Sequence, residues 1–242
     1  MLTADSRSEI DRYRHPLRSL FSTSLTLKGG TRLFQPGSRS DQLFLVIDGF
    51  VLTTRRSNKH QRLVDIRLAG ELVDPLSALV QQEQSGLETV GKTTVATIRK
   101  DQLQGLMEDD PTLTIKLWRE SEILAARYRQ WFAKLTMARA MERLGYFLCD
   151  LLHRLRLVDK VSRDSFSFPL TRAQTAQLCA LSEVHLCRCI ADLHEAGVIH
   201  WRARRIRILD EPRLCRLGRW QTSGEFIENR LMTVTEPSIA DP

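Results

Sequence analysis

The stretch LTRAQTAQLCALSEVHLCRCIADLHEAGVIHWRARRIRILD, Leu170–Asp210, decides how this chain is read. It opens on Thr171-Arg172-Ala173-Gln174, a capping box with threonine at the N-cap and glutamine three residues later. Thr175, Leu178 and Cys179 continue a short helix, and Ala180-Leu181-Ser182 breaks it. Ser182 can cap a second helix whose apolar face is Leu186, Cys189, Ile190 and Leu193, and Gly197 stops that helix. Two short helices so joined are a helix-turn-helix arrangement. Val198–Trp201 and Ile206–Leu209 then read as two strands, with Arg202, Arg204 and Arg205 in the turn between them. A hairpin after a helix-turn-helix is a winged helix, and an arginine-rich wing suits phosphate contacts. The plainer reading of those arginines is a solvated hairpin; the helix pair immediately before them favours nucleic acid. The polar face of the second helix presents Glu183, His185, Cys187 and Arg188 near its N-terminal half, the part that meets base edges in such motifs.

Working back along the chain, Asp110-Pro111 is a helix start, a carboxylate cap followed by proline at the first helical position. The helix it opens runs without glycine or proline to about Leu135. Leu117, Ser121, Leu124, Tyr128, Trp131 and Leu135 alternate by four and three, an a/d seam. A second stripe, Ile115, Trp118, Ala125 and Phe132, lies on another side. One stripe can pack on the rest of the chain while the other meets a partner, and the seam of Leu117, Leu124, Tyr128, Trp131 and Leu135 is assigned to dimerisation. Against this stands an ordinary core helix with two buried faces; a small β domain can hardly cover both. Ala138 to about Val158 is a further helix, buried through Met141, Leu144, Phe147, Leu148 and Leu151.

Before Lys100 the pattern changes to short apolar runs of period two: Leu25–Leu27, Arg32–Phe34, Leu43–Ile47, Phe50–Thr54, Leu63–Leu68 and Val90–Ile98, with glycines near their ends. Such spacing predicts an all-β sandwich, roll or barrel. Asp48-Gly49 is either a tight hairpin turn or a bend inside one long strand. The expected organisation is residues 1–110 as a β-roll sensor domain, 111–137 as the dimerisation helix, 138–218 as the DNA-binding domain and 219–242 as a tail.

Composition narrows the function. The chain has 242 residues, and 36 Lys plus Arg against 29 Asp plus Glu give it a formal charge of +7, a balance that favours polyanionic partners. No apolar run is long enough to cross a bilayer, and Met1–Arg14 lacks the apolar core of a signal peptide, so a cytoplasmic protein without a membrane partner is expected. The five cysteines, Cys149, Cys179, Cys187, Cys189 and Cys215, form an odd set confined to the C-terminal half, which argues against a disulfide framework. No nucleophile–base pair, metal-ligand cluster or glycine-rich phosphate loop supports an enzyme. Cys187, Cys189 and His185 do not suggest a metal site, because residues two apart on a helix point in divergent directions.

Leu43–Gly49 with Phe50-Val51, the Asp110-Pro111 start, Ala140–Leu144 and above all Leu170–Asp210, in that order, resemble the Crp–Fnr superfamily of bacterial transcription regulators. The resemblance covers about Leu25 to Leu217. It implies an α+β chain: an N-terminal cyclic-nucleotide-binding-like β-roll, a long central dimerisation helix and a C-terminal winged helix-turn-helix. It also implies a homodimer on double-stranded DNA with two-fold related half-sites, and RNA polymerase as a further partner. Thr171, Arg172, Arg202, Arg204 and Arg205 would position phosphates; Glu183, Val184, His185, Cys187 and Arg188 would lie against the bases. A small-molecule- or protein-binding adaptor on the same fold is the alternative.

The chain departs from that family at three places. Cyclic-nucleotide binders carry a Gly-Glu pair for the ribose and an Arg-Ser/Thr pair for the phosphate; here those positions hold Asp74-Pro75 and Gln84-Ser85. Between Arg67 and Lys92 there is no Lys, Arg or His, while Glu71, Asp74, Glu83 and Glu88 are all acidic, which opposes a buried phosphate and makes cAMP an unsuitable effector. The oxygen-sensing branch holds an iron–sulfur cluster through cysteines mostly near the N-terminus, and no cysteine precedes Cys149 here. Haem has only His15 and His60 to draw on before His153, and a histidine in a basic loop such as Lys59-His60 is usually solvated. No cofactor is therefore expected. In the reading helix, Val184 stands where the family often has glutamate, which would accept from a cytosine amine, whereas Arg188 keeps the arginine that pairs with guanine. Ala180 stands where the turn usually has glycine. Cys187, beside Arg188 and near a helix N-terminus, is a candidate redox-sensitive thiol; its plainer reading is a small neutral stand-in for serine.

Overall fold

The computed structural model describes residues 17–220 other than 36, 37, 39, 58, 59 and 74–84. Strands β1 (Thr23–Leu27), β2 (Arg32–Phe34), β3 (Gln42–Ser57), β4 (His60–Leu68), β5 (Leu72–Val73) and β6 (Ser85–Arg99) form one antiparallel sheet. Its order is β1-β6-β3-β4, with β2 added to β6 and β5 to β3. The two apolar runs Leu43–Ile47 and Phe50–Thr54 belong to one strand, so Asp48-Gly49 is the bend and not a hairpin turn. The register against β6 shifts there, Gly49 has φ +88°, and a β-carbon on it would lie 2.7 Å from the Lys92 carbonyl oxygen. Only glycine combines that dihedral with that close approach. The bend curls the sheet into a roll, one face of which is packed by Phe44, Val46, Val51, Val73, Leu87 and Val95, with Leu27, Leu33 and Phe34 against them.

Helix α1 (Lys100–Asp109) follows, and α2 (Pro111–Met137) begins after Asp110, whose Oδ1 accepts from the Thr112 N–H at 2.9 Å. Then come α3 (Ala140–Leu157), β7 (Ser165–Ser167), α4 (Arg172–Leu178), α5 (Glu183–Glu195), β8 (Ile199–Arg202), β9 (Arg205–Ile208) and α6 (Glu211–Gly218). Strands β7, β9 and β8 make a small sheet in that order. The fold is thus the α+β arrangement expected: a β-roll, a long central helix and a winged helix-turn-helix.

The long helix divides the seam assigned to dimerisation between buried and open positions. Leu117 is buried among Leu113, Leu103 and the β-roll residues Leu43, Leu45 and Ile98. Ser121 is buried, its hydroxyl donating to the Leu117 carbonyl at 2.9 Å. The Tyr128 hydroxyl donates to Asp65 of β4 at 3.0 Å, and Trp131 stacks on Tyr146 of α3 with centroids 5.7 Å apart. Leu124 and Leu135 are half-buried. Leu117 is thus covered by the chain's own roll and Trp131 by α3, while Tyr128 reaches Asp65 of β4 and stays 40% exposed. The second stripe is the open one: Ile115 is 46% exposed, Trp118 67% and Phe132 68%.

The β-roll and the winged helix share one hydrophobic cluster. Phe50, Leu52, Ile66 and Leu68 pack with Leu144, Leu148, Leu151, Leu178, Leu186 and Leu193. A buried ionic group crosses the same junction. Arg154 of α3 donates to Glu71 through Nε at 2.7 Å and Nη2 at 2.8 Å, to the Ile66 carbonyl at 2.7 Å and to Asp150 at 2.9 Å. Arg127 of α2 reaches the same Glu71 at 3.1 Å. Burial alone would raise the Glu71 carboxyl; the Arg154 and Arg127 guanidiniums outweigh it and hold the group at about 2.

Candidate nucleic-acid interface

The helix-turn-helix forms through the caps read from the sequence. Thr171 Oγ accepts from the Gln174 N–H at 3.1 Å, and Gln174 Oε1 accepts from the Thr171 N–H at 2.9 Å. Ser182 Oγ accepts from the His185 N–H at 3.2 Å and starts α5. In the turn, Ala180 has φ +50°, the left-handed conformation a glycine would adopt more cheaply. Its carbonyl accepts from Arg143 of α3 at 3.1 Å, which ties the turn to the helix beneath it. Leu186, Cys189, Ile190 and Leu193 are buried, so the opposite face of α5 is fixed outward.

That outward face carries Glu183, Val184, His185, Cys187 and Arg188, every one exposed. The wing pairs His200 with Arg207, Trp201 with Ile206 and Arg202 with Arg205, around a turn where Ala203 has φ +51°. Alternation sends Trp201 and Ile206 into the core and leaves Arg202, Arg204, Arg205 and Arg207 exposed. The Arg204 carbonyl accepts from the Phe168 N–H at 2.9 Å, which holds the wing tip in place. His194, at the end of α5, accepts from the Trp201 N–H through Nε2 at 2.8 Å and so joins α5 to the wing. No local signal announces this bond: a polar residue late in an amphipathic helix reads as solvated.

Arg172 is less free than expected. Its guanidinium lies 4.2 Å from the centroid of the Trp201 ring, Nη1 is buried without a hydrogen bond, and desolvation lowers its pKa. It is a pre-ordered cation at the start of α4, stacked between helix and wing. Thr171 spends its hydroxyl on the cap, and its side chain is exposed at the same edge. The exposed residues of α5 and the cations of the wing thus belong to one compact unit braced by His194 and Arg172, the shape and charge that a DNA groove and its flanking phosphates take.

One further element carries a local signal of its own. Asp210-Glu211-Pro212 opens α6 by the same cap-and-proline device as Asp110-Pro111, Asp210 Oδ1 accepting from the Arg213 N–H at 2.9 Å. The third wing strand, β7, is only three residues long and has no periodicity to show. Histidine 15, the positions 74–84 that carry the Asp74-Pro75 and Gln84 departures, and the tail from 221 with Phe226 and Ile227 lie outside the described residues; nothing is described of the His60 side chain. Trp220 packs on Tyr146, ring centroids 5.0 Å apart.

Comparison with known proteins agrees with this geometry. Residues 142–217 match the Crp-like helix-turn-helix domain, and residues 24–110 match the cyclic nucleotide-binding domain. The chain belongs to the Crp–Fnr superfamily. Like its relatives there, it is a DNA-binding transcription regulator and not an enzyme. A CRP-like cAMP-activated global transcriptional regulator of Mycobacterium tuberculosis is 26% identical, over 78% of this chain and 85% of that protein. The transcriptional activator protein FnrA of Stutzerimonas stutzeri is also 26% identical, over 79% of each. Among solved structures, FixK2 from Bradyrhizobium japonicum superposes with a TM-score of 0.72 at 18% identity, over 81% of this chain and 96% of that one. The c-di-GMP responsive regulator CLP of Xanthomonas campestris superposes at 0.62, likewise at 18% identity, over 84% of this chain and 98% of that one. Among the described residues, no group of His, Cys, Asp and Glu could hold a metal ion, and no helix is long and apolar enough to cross a membrane.

Among the described residues of the roll, one candidate ribose ligand is already paired. Glu71, the one Gly-Glu glutamate in the region, is held by Arg154 and Arg127 on the helical side. The face packed by Phe44, Val46, Val51, Val73, Leu87 and Val95 is apolar, and Ser85 is buried in β6, opposite Arg55 of β3 in register.

Proposed function

We propose that this regulator works as a homodimer that reads two-fold related half-sites in double-stranded DNA and acts on RNA polymerase, without a cyclic nucleotide, an N-terminal iron–sulfur cluster or haem. The observation that carries the reading is the joint exposure of Glu183, Val184, His185, Cys187 and Arg188 on α5 and of Arg202, Arg204 and Arg205 on the wing that His194 ties to it. Arg188 pairs with guanine, Val184 touches a thymine methyl in place of a cytosine contact, and His185 is a second polar reader. The wing arginines, with Thr171 and Arg172, hold phosphates on either side.

A second copy of the chain covers the open stripe of α2. Ile115, Trp118, Ala125 and Phe132 repeat by three and seven with Glu122 and Arg129 between them, and those two lie 3.8 Å apart. Parallel packing of two such helices buries the indole and the phenyl ring and sets two reading helices about one turn of DNA apart. Oxidation of Cys187 adds bulk and negative charge on the DNA-facing surface and weakens binding.

Selection of bound sites from random DNA, with and without reductant, tests this. Enrichment of a two-fold symmetric site supports the reading; retention that is blind to sequence, or a monomer in sedimentation at the concentration that binds, defeats it. Loss of binding with peroxide that persists in Cys187→Ser removes the redox part alone.

A further inference from the structure

A different pair of thiols lies at the far side of the reading unit. Cys149 of α3 and Cys215 of α6 have their sulfurs 3.6 Å apart, and both are free thiols. Their helices meet at two glycines one turn away. A β-carbon on Gly145 would lie 2.8 Å from the Gly218 nitrogen, so the two backbones touch there with no side chain between them. From a sulfur separation of 3.6 Å only a small movement is needed to reach the S–S bond length of about 2.0 Å. The chain between the two cysteines, residues 150–214, contains α4, the turn, α5 and the whole wing.

We propose that Cys149 and Cys215 are an oxidant-formed intramolecular staple, closed by a peroxide, that ties off the loop carrying the DNA-reading unit. Cys215 is half-exposed and Cys149 is buried. Burial raises both thiols, Cys149 far more, while the contact with Cys149 and the charge of Arg156 act the other way on Cys215. Glu211 adds to the upward shift at Cys215, so exposure and not acidity selects it: Cys215 is the sulfur that meets the oxidant. Its thiolate attacks hydrogen peroxide, the O–O bond breaks, and a sulfenic acid and hydroxide form. The Cys149 sulfur then attacks the sulfenic sulfur; the S–O bond breaks, the S–S bond forms, and the Cys149 proton leaves with the departing hydroxyl as water. Two thiols are oxidised by two electrons and one peroxide is reduced to two waters. A thiol reductant reverses the bond by exchange.

This site is separate from Cys187, which is exposed on the opposite, buried-face-averse side of α5, and from Cys179 and Cys189, which are buried in the helix-turn-helix core. The bond does not touch the DNA-facing surface. Its effect is on the folded state: closing a loop of this length restricts the unfolded chain and holds α6 against α3.

The test uses the full chain treated with a small excess of hydrogen peroxide, then alkylated, digested and mapped by mass spectrometry. The expected result is one cross-linked peptide joining Cys149 to Cys215, absent after reduction, with Tm raised by roughly 5–10 °C relative to the reduced chain. Cys215→Ser, at a half-exposed position, removes both the cross-link and the Tm gain. Cys149→Ala does the same, and wild-type mapping alone decides the matter if that buried variant folds poorly. The proposal is overturned if both thiols stay alkylatable after peroxide, if Cys215 proceeds to sulfinic acid without a cross-link, or if the only disulfides found involve Cys187.

Discussion

Arg154 sets its guanidinium against both carboxylate oxygens of Glu71, 2.7 and 2.8 Å away, so a helix of the DNA-binding unit is clamped to the turn between β4 and β5 of the roll. The Arg154 side chain is only 6% exposed, and its remaining donors go to Ile66 and Asp150. A charge buried to this extent depends on every partner it has.

Glu71→Gln should therefore lower stability by roughly 3–5 kcal/mol near neutral pH, because it leaves Arg154 without its main counter-charge. The carboxyl is held at about 2 against an ordinary 4.5. Its contribution is complete above the higher value and disappears as pH falls toward the lower one. Urea titrations of wild type and Glu71→Gln should diverge at pH 7 and converge by pH 2–3. A gap that is the same at both pH values would show that the lost stability is not ionic.

Arg188 and Arg204 are both exposed cations but should fail differently. Arg188→Ala costs about 1–3 kcal/mol on the preferred site and relaxes base choice there. Arg204→Ala weakens all sequences alike and reduces the slope of log K against log salt by about one. Titrations on the selected site and a scrambled one, at several salt concentrations, separate the two; equal sequence-blind losses would contradict the assignment.

Phe132→Glu and Trp118→Glu place charge on the open stripe of α2 and should shift the protein to monomer with little change in the melting of the monomer itself. Leu117→Ala should do the reverse, costing roughly 2–5 kcal/mol of stability through a cavity in the roll. Sedimentation velocity paired with thermal melts reads both axes at once.

Ala180→Gly should stabilise the turn by about 0.5–1 kcal/mol, since the residue already sits at φ +50°. Chemical denaturation measures it directly; a loss of stability would mean that the methyl group makes a compensating contact.

The winged helix was the most legible part of the chain because its information is local. A capping box, a serine cap, a stopping glycine and a short apolar face each lie within a few residues of the structure they specify. The two stripes of α2 were visible as well, but hydrophobicity could not say which would face inward. That choice was made by the Tyr128 hydroxyl finding Asp65, and by Trp131 finding Tyr146, contacts with residues remote in sequence or on the next helix. The Arg154–Glu71 clamp was illegible for the same reason: the two residues are 83 positions apart and neither has a local motif. Arg172 was expected to be a free phosphate ligand, and its stacking on Trp201 arises only once helix and wing are assembled.

The hydrophobic cluster that runs from Phe50, Leu52, Ile66 and Leu68 into Leu144, Leu178 and Leu193 limits how far this protein is modular. A chimaera that transplants residues 140–220 onto another β-roll would strip one wall from that cluster and leave Leu178 and its neighbours facing whatever the new strand offers. Exchange of DNA specificity between relatives must accordingly carry β4 along with the reading helix, or be confined to the exposed positions of α5.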